Sequence, residues 1–518
     1  MSYEYSEDGL VEAASEEVLL DLQWQVETAW HKEILSVQAD RSDGLLGRAN
    51  KSEVILVRYL KQALVKLNPE LPDIAYQNAI DQITQVEADK SLGAINKAKH
   101  ELLTKGVQVS YQDDKGKLQK KRLKVFNFNQ PTENHFLAVR QFEVVGKLYN
   151  RRPDIVGFVN GIPLVFFELK AHHTDLRNAY EDNLTDYKDT IPEVLHSNAF
   201  IILSNGTASS VGTITSPYKF FIEWKRIEED DKGEVSLDTI LRGTCEKHRL
   251  LDLFENFLLF DGEGDYVVKI MAKNHQFIGV NKVVDKAKNI NDLKGKLGVF
   301  WHTQGSGKSY SMVFICQKIL RKFGKSYTFL IVVDRTELEN QLYDTFTGCG
   351  ALTEENMRAK SRTHLRELLS ENHRYVFTLI HKFAIDKKKE TEYPLITERD
   401  NIIVISDEAH RTQGGTYAQN MRFKAIPNAS FLGCTGTPLI DDEVELTKKI
   451  FGGYVSVYDF KKAMDDGATL PLRYLNRGEK LDIKNPDLDA RMAEIINDED
   501  LDTDQIAKLR REFARDYP

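Results

Sequence analysis

The strongest constraint on this chain is a glycine-rich stretch, His-Thr-Gln-Gly-Ser-Gly-Lys-Ser, at residues 302–309. Residues 296–301 before it have the pattern of a buried strand, and residues 308–322 after it repeat apolar side chains at helical spacing until Gly324. A turn between strand and helix directs backbone N–H groups towards an anion, and Lys308 adds a positive charge. The sequence therefore predicts a cradle for a triphosphate. Its predicted residues are Thr303, Gln304, Gly305, Ser306, Gly307, Lys308 and Ser309.

A second motif, Asp407-Glu408-Ala409-His410, follows an apolar run at residues 402–405. Ser309 offers a hydroxyl to Mg²⁺, and Asp407 is placed to hold the same ion through a water molecule. Glu408 is placed to orient the water that attacks the terminal phosphate. Together the two motifs predict magnesium-dependent hydrolysis of a nucleoside triphosphate.

Further apolar runs at residues 328–333, 375–380 and 430–432 each have a polar motif at their carboxyl end. Ligands of parallel α/β sheets bind at this edge. We therefore expect an α/β fold in which these runs form a parallel sheet and their motifs converge.

These motifs, with Thr-Gly-Thr-Pro at residues 435–438, Val-Asp-Arg at 333–335 and Thr-Leu-Ile-His-Lys-Phe at 378–383, resemble those of superfamily 2 helicases. The resemblance implies a RecA-like motor domain in which a coupling group links the nucleotide state to the grip on nucleic acid. Asn274-His275-Gln276 is similar to the glutamine motif of that family, and an amide matches both edges of adenine, so ATP is the expected nucleotide. The predicted coupling residues are His410, Thr435, Gly436 and Thr437.

A separate constellation lies in the first half, where Arg-Arg-Pro-Asp ends at Asp154 and Phe-Phe-Glu-Leu-Lys ends at Lys170. Side chains alternate across a strand, so Glu168 and Lys170 share a face. Asp154 and Glu168 are hard oxygen ligands for Mg²⁺, and Lys170 is suited to activate water and neutralise phosphate charge. The pattern resembles the PD-(D/E)xK nuclease motif. The alternative is the solvent face of an edge strand.

Strand register tests that interpretation. A two-residue turn at Asn160-Gly161 would make the numbers of opposed residues sum to 321 and place Asp154 opposite Phe167, on the wrong face. One extra residue makes the sum 322 and opposes Asp154 to Glu168. We therefore predict a bulge in this hairpin.

Three further residues are secondary candidates for the nuclease site. The helix after the strand, capped by Thr174 or Asp175, carries Asn183 and Tyr187. The motor-nuclease subunit of type I restriction enzymes has Gln-x-x-x-Tyr at this place, and Asn183 departs from it; Tyr187 is equally consistent with a core position. Glu53 is the third candidate, on a helix expected to begin at Ser52-Glu53 and to run to Leu67.

Composition sets limits on partners and compartment. A net charge of −9 does not exclude DNA, because binding needs only a local stripe of Lys and Arg. The four cysteines lie far apart, which gives no zinc or disulfide signature. With no signal peptide or apolar run of membrane length, the sequence predicts a cytoplasmic protein without membrane contact. Charge runs at residues 113–121, 226–232 and 386–390 are expected to be solvated loops or hairpins without function.

A nuclease followed by a motor is the order in the restriction and translocation subunit of type I restriction-modification enzymes, which this chain resembles. The resemblance implies a mixed-sheet endonuclease domain at residues 1–258, a RecA-like domain at 259–458 and, at 459–518, the start of a second motor domain, so the chain is expected to be the amino-terminal part of a longer protein. The implied partners are double-stranded DNA and the methyltransferase and specificity subunits. Two alternatives stay open: a repair translocase with an inactive nuclease fold, and a nucleotide-gated assembly module.

Overall fold

The structure, a computed structural model, describes residues 7–87, 89–113, 115–290, 292–324, 326–386, 390–407, 415–437 and 449–469. Glu408, His410 and residues 470–518 lie outside these ranges. Within them, the chain up to Thr469 forms one compact unit.

The first half is built around a mixed six-stranded sheet. Its helices are α1 (Glu7–Asp21), α2 (Val57–Leu67), α3 (Asp73–Thr84), α4 (Leu92–Lys105), α5 (Leu176–Asn178), α6 (Thr185–Thr190), α7 (Leu237–Cys245) and α8 (Lys247–Asn256). Its strands are β1 (Gln25–Thr28), β2 (Val107–Gln112), β3 (Leu118–Leu123), β4 (Phe136–Arg140), β5 (Val144–Val145), β6 (Asn150–Arg151), β7 (Ile155–Val159), β8 (Ile162–Leu169), β9 (Phe200–Ser204) and β10 (Ser209–Gly212). The sheet order is β1-β4-β7-β8-β9-β10, and β2–β3 and β5–β6 form separate pairs.

The second half contains a six-stranded parallel sheet. Its helices are α9 (Asn274–Lys288), α10 (Lys308–Phe323), α11 (Thr336–Gly348), α12 (Arg362–Ser370), α13 (Thr416–Gln419) and α14 (Phe460–Asp465). Its strands are β11 (Leu258–Asp261), β12 (Val268–Met271), β13 (Lys296–His302), β14 (Thr328–Val333), β15 (Tyr375–Leu379), β16 (Ile402–Ser406), β17 (Ser430–Thr435) and β18 (Tyr454–Tyr458). The sheet order is β15-β14-β16-β17-β13-β18, with β11–β12 as a separate pair.

Short turns of helix complete the described chain. The 3₁₀ turns are Pro131–Glu133, Pro192–Leu195, Tyr218–Phe220 and Ile380–Phe383, and the π-helical turns are Ala179–Leu184 and Asn420–Ala425. No helix among the described residues has both the length and the apolar character needed to cross a membrane.

The strands predicted in the second half are confirmed. Every neighbouring pair in the sheet is parallel. These strands are buried on both faces, which explains their unbroken apolar runs. Their carboxyl ends, where the polar motifs follow, therefore lie at one edge.

One hydrophobic cluster joins the two halves of the described chain. Its members include Trp24 and Phe254 from the first half and Phe277 and Phe314 from the second. The Phe257 ring lies 4.7 Å from that of Phe277 and 5.5 Å from that of Phe314. The boundary near residue 258 thus stays a prediction.

The charge run at residues 226–232 is not a purely solvated loop, which corrects the expectation. Arg226 is only 7% exposed and donates two 2.9 Å hydrogen bonds to the carboxylate of Asp466. Glu229 accepts hydrogen bonds from Ser456 and from the backbone N–H of Val457. The run of charges alone could not reveal these contacts, because the partners lie more than two hundred positions away in the chain.

We predict that Arg226→Ala lowers the free energy of unfolding by about 3 kcal/mol, because the half-buried Asp466 carboxylate loses its cation. Urea denaturation measures the change. The control is Arg242→Ala, whose partners Asp21 and Asp238 are exposed and whose loss should cost no more than about 1 kcal/mol. Equal effects of the two substitutions would contradict the structural role given to Arg226.

Candidate catalytic and nucleotide-binding sites

The predicted bulge is present in the β7–β8 hairpin. Near the turn, Val159 opposes Ile162 and Phe158 opposes Pro163, so the residue numbers sum to 321. The register shifts between Gly157 and Phe158, and beyond it Ile155 opposes Phe167, with a sum of 322. Continued by one residue, this register opposes Asp154 to Glu168.

The structure brings Asp154, Glu168 and Lys170 together. The backbone N–H of Leu169 donates to Oδ2 of Asp154 at 2.8 Å, and Nζ of Lys170 donates to Oε1 of Glu168 at 2.8 Å. Glu168 is 1% exposed, and no donor among the described residues reaches its Oε2 within normal hydrogen-bond distance. Among the described residues, the cluster therefore holds one buried carboxylate oxygen that no donor reaches at normal hydrogen-bond distance.

Both carboxyl groups resist ionisation. Burial raises the pKa of Glu168 to about 7, although the charge of Lys170 opposes this. Burial also raises the pKa of Asp154 well above its ordinary value, and the negative charges of Glu168 and Glu12 raise it further. A divalent cation between the two carboxylates would relieve their desolvation and repulsion.

Asn183 and Tyr187 lie beside this cluster, on the helix that begins after Asp175. Asp175 caps it as one of the two predicted residues, accepting from the Arg177 N–H at 2.9 Å. The ring of Tyr187 packs 5.5 Å from that of Phe166. Burial raises the pKa of Tyr187, the neighbouring Glu168 charge raises it further, and a hydrogen bond with Asn183 opposes them. Tyr187 is thus both a core residue and a neighbour of Glu168.

The sequence interpretation missed two residues at this site. Glu12 on α1 is fully buried, and Nε2 of Gln141 donates both to Glu12 and, at 3.3 Å, to Oδ1 of Asp154. Gln141 has a φ of 53°, a left-handed conformation that is uncommon for a residue other than glycine. The sequence feature that could have pointed to Glu12 was an acid next to Val11 on the apolar face of an early helix.

Glu53 does not lie on a helix, because α2 begins at Val57. Its carboxylate accepts hydrogen bonds from Arg41 at 2.9 Å and from the Ala49 N–H at 3.0 Å. Both partners belong to the preceding loop, so Glu53 stabilises that loop. In place of Glu53, the structure puts Glu12 beside Asp154.

The side chains present fit a divalent metal ion held by two carboxylates. Among the described residues, no group of three or more His, Cys, Asp or Glu side chains is arranged to hold a metal. Asp154 and Glu168 supply hard oxygen donors, and Oε2 of Glu168 is buried without a partner in the described chain. Glu12 acts on this pair through its charge and through Gln141.

The glycine-rich loop has the backbone expected of a phosphate cradle. Gly305 and Gly307 have φ values of 81° and 89°, which favour glycine, and Gly307 caps α10. The carbonyl of Ser306 accepts from Nε2 of His275 at 2.9 Å. Oγ of Ser306 is buried, and no described residue provides it with a hydrogen-bond partner. Gln304 and Gly305 are exposed, and Lys308 and Ser309 are half-buried at the start of α10.

Gln276 braces this loop. Its Nε2 donates to the Gly307 carbonyl at 2.9 Å and to Oγ of Ser311 at 3.2 Å, and its Oε1 accepts from the Lys273 N–H at 2.8 Å. Both ends of the amide are therefore engaged. Its adenine-reading role stays a prediction, and that role requires the amide to release these contacts.

The predicted motor residues of the neighbouring strands lie near the loop. A methyl group added at Gly436 would lie 2.9 Å from Nζ of Lys308, so the lysine reaches the end of β17. Thr435 is buried, and its Oγ1 accepts from the Thr437 N–H at 3.2 Å. Asp407 follows β16, and its N–H donates to the Val332 carbonyl at 2.9 Å. The sheet thus places the motifs at one edge, as expected.

Two protein families match this chain. The family described as type I restriction enzyme R protein N terminus matches residues 4–220, and the SWI2/SNF2 ATPase family matches residues 275–506. The first match contains the Asp154 cluster, and the second contains the glycine-rich loop.

Curated relatives match most of the chain. The type I restriction enzyme HindI endonuclease subunit of Haemophilus influenzae is 37% identical over 484 residues, 88% of this chain and 45% of the relative. The provisionally named type I restriction enzyme MjaIXP endonuclease subunit of Methanocaldococcus jannaschii is 33% identical over 501 residues, 90% of this chain and 46% of the relative. The chain thus spans about half the length of these relatives.

Among solved structures, the fragment of a provisionally assigned HsdR subunit of a type I restriction enzyme from Vibrio vulnificus aligns with 81% of this chain and 60% of its own. The identity is 14% and the TM-score is 0.26.

The raised pKa of Glu168 predicts how stability depends on pH in the presence of a chelator. The folded protein binds this proton more tightly than the unfolded chain, so stability falls as the pH rises from the ordinary value of 4.5 to about 7. Glu168→Gln removes this loss and should raise the free energy of unfolding at about pH 8 by up to about 3 kcal/mol, with no gain below about pH 4.5.

Urea denaturation at both pH values measures the difference. Glu101→Gln, at an exposed position on α4, is the control and should change stability equally at the two pH values. A gain for Glu168→Gln that does not depend on pH would contradict the assignment.

Proposed function

Because the chain belongs to the family of type I restriction enzyme endonuclease subunits, we propose that it provides the DNA-cleaving site and part of the ATP-driven motor of such a subunit. The observation that carries the cleaving role is the β7–β8 bulge, which gathers Asp154, Glu168 and Lys170 in a buried cluster. The names of the relatives favour this function over an inactive nuclease fold or an assembly module.

The proposed cleavage site belongs to a PD-(D/E)xK-type nuclease domain at residues 1–258. Asp154 and Glu168 would hold Mg²⁺, which when bound polarises the scissile phosphate and lowers the pKa of water. Lys170 places a cation beside Glu168, where it positions the attacking water and offsets phosphate charge. Tyr187 and Asn183 support the Glu168 carboxylate, and burial of the cluster excludes competing water.

The proposed motor domain is RecA-like and spans residues 259–458, and residues 459–518 begin a second one. The loop from Thr303 to Ser309 binds the phosphates of ATP, with Lys308 neutralising their charge and Ser309 and Asp407 assigned to Mg²⁺. Glu408 would orient water. His410 with Thr435, Gly436 and Thr437 would couple the nucleotide state to DNA. The position of Nζ of Lys308, 2.9 Å from where a methyl group on Gly436 would lie, supports such a link.

The proposed substrate is double-stranded DNA, translocated and cut in the cytoplasm. The proposed partners are the methyltransferase and specificity subunits of a type I complex, because the relatives are named as endonuclease subunits of such enzymes.

Two lysine substitutions in the full-length subunit, assembled in its complex, test this function. Lys170→Ala should lower DNA cleavage by about 10²-fold and leave DNA-stimulated ATP hydrolysis unchanged, because Lys170 serves only the cleavage site. Lys308→Ala should lower ATP hydrolysis by about 10²-fold and abolish translocation and cleavage together. Agarose gels and phosphate release measure the two activities.

The matched control is Lys105→Ala on the exposed face of α4, which should change neither activity. Retained cleavage in Lys170→Ala would refute the nuclease assignment, and retained ATP hydrolysis in Lys308→Ala would refute the motor assignment.

Glu12 and Glu53 give a second test of the cleavage site. Glu12→Gln removes a buried negative charge next to Asp154, so the Mg²⁺ concentration for half-maximal cleavage should rise about tenfold. Glu53→Gln should leave it unchanged, because the described partners of the Glu53 carboxylate all belong to its own loop. Titrations of cleavage with Mg²⁺ distinguish the two, and an effect of Glu53→Gln alone would reverse the assignment.

A further inference from the structure

An exposed apolar tip lies close to the Asp154 cluster. The tip is the turn between β5 and β6, residues 146–149, with the sequence Gly-Lys-Leu-Tyr. Leu148 is 86% exposed and Tyr149 is 55% exposed. Leu148 is almost fully exposed, and the Tyr149 ring lies 5.0 Å from the Arg151 guanidinium, so packing in the core explains neither side chain.

The tip belongs to the same two-stranded ribbon that carries Asp154, in which the β4–β7 pair is continued by the β5–β6 pair. Arg140 opposes Ile155 on β4–β7, and Val144 opposes Arg151 on β5–β6, so the residue numbers sum to 295 in both pairs. The N–H of Gln141 donates to the Asp154 carbonyl at 2.7 Å between them. Tyr149, the tip residue nearest to Asp154 in the chain, lies five positions before it, which at ~3.3 Å per residue is ~17 Å. This corresponds to about five base pairs of duplex DNA.

The base of the tip is fixed from several sides. Both Nε and Nη2 of Arg151 donate to the carboxylate of Asp186, the second at 2.8 Å. Nζ of Lys51 lies 2.6 Å from Oε2 of Glu143. The backbone carbonyl of Lys51 accepts a hydrogen bond from the Val145 N–H at 3.0 Å. A methyl group at Gly146 would lie 2.3 Å from the Thr190 carbonyl, so the chain is tightly seated there. The apolar side chains are thus presented by a braced scaffold.

The charged side chains around the tip indicate which class of partner it binds. At the base of the tip, the carboxylates of Glu143 and Asp186 are neutralised by Lys51 and Arg151. Lys147 is exposed, and no acid in the described chain pairs with it. The guanidinium carbon of Arg152 lies 3.8 Å from the centre of the Trp30 ring, and Arg152 likewise has no ion pair with a described residue. The surface around the apolar tip therefore carries excess positive charge, which suits a polyanion.

We propose that the tip is a wedge that enters the minor groove of duplex DNA beside the scissile phosphate. Leu148 and Tyr149 insert between base pairs and kink the duplex, while Lys147 and Arg152 contact the flanking phosphates. Apolar side chains flanked by cations are the means by which proteins unstack a base step from the minor groove. The kink turns a phosphate about five base pairs away towards Asp154, Glu168 and Lys170. This inference rests on the proposed cleavage function.

The test uses the double variant Leu148→Ser with Tyr149→Ser in the full-length subunit, assembled in its complex. Duplexes that carry 2-aminopurine at successive positions report unstacking as a rise in fluorescence, with Ca²⁺ in place of Mg²⁺ to prevent cleavage. The parent should show the rise at one step, and the variant should not. Cleavage with Mg²⁺ should fall about tenfold, while DNA-stimulated ATP hydrolysis stays unchanged.

The control is Leu118→Ser, which removes an equally apolar side chain, 62% exposed, from the separate β2–β3 pair. It should leave the fluorescence and cleavage unchanged. Unchanged unstacking in the tip variant overturns the proposal. Poor assembly of the variant into the complex, with normal unstacking of DNA by the fraction that does assemble, also overturns it, because the tip would then bind a protein. Lys170→Ala judges the cleavage function separately, because it should lower cutting by about 10²-fold and preserve the fluorescence rise.

Discussion

The one-residue shift in the β7–β8 register is the constraint on which the Asp154 cluster depends. Ile162 and Leu164 pack in the same cluster as Val165, Phe167 and Leu169, so the side chains facing the core change from even to odd numbers at the bulge. Without this change Glu168 would point into apolar packing, where an unpaired charge is costly. The backbone cost is offset locally, because the Leu164 carbonyl accepts from the Ala199 N–H at 2.6 Å and from Asn198 at 3.1 Å.

The junction between the halves depends on a different interaction. Nζ of Lys318 on α10 contacts both carboxylate oxygens of Asp252 on α8, at 2.5 and 2.6 Å. Because α10 begins at the glycine-rich loop, this ion pair ties the end of the first half to the helix that carries the phosphate cradle. The aromatic contacts of Phe257 continue the same junction. Since packed interiors transmit small displacements, a displacement of α10 would be transmitted directly to α8.

The parts that were predictable from sequence are those in which neighbouring residues carry the information. The β13, loop and α10 unit follows from apolar periodicity and glycine positions, and the bulge follows from requiring Asp154 and Glu168 to share a face. Glu12, Gln141 and the Arg226–Asp466 pair were not predictable, because each gains its meaning from a residue far away in the chain. The start of α2 was placed too early, since Glu53 and the nearby polar residues satisfy one another in a loop before Val57.

The two sites make opposite electrostatic demands, and local arrangement meets both despite the net charge of −9. At the glycine-rich loop, Lys308 is half-buried and has no carboxylate partner among the described residues, which suits its proposed contact with phosphate. At the Asp154 cluster, ionised carboxylates would repel phosphate, so under the proposed cleavage function DNA would approach only where cations outweigh them. Lys170 supplies one such charge inside the cluster, and Lys147 and Arg152 supply others along the adjoining ribbon. Because screening limits these fields to about 10 Å, the position of each cation matters more than the sum over the chain.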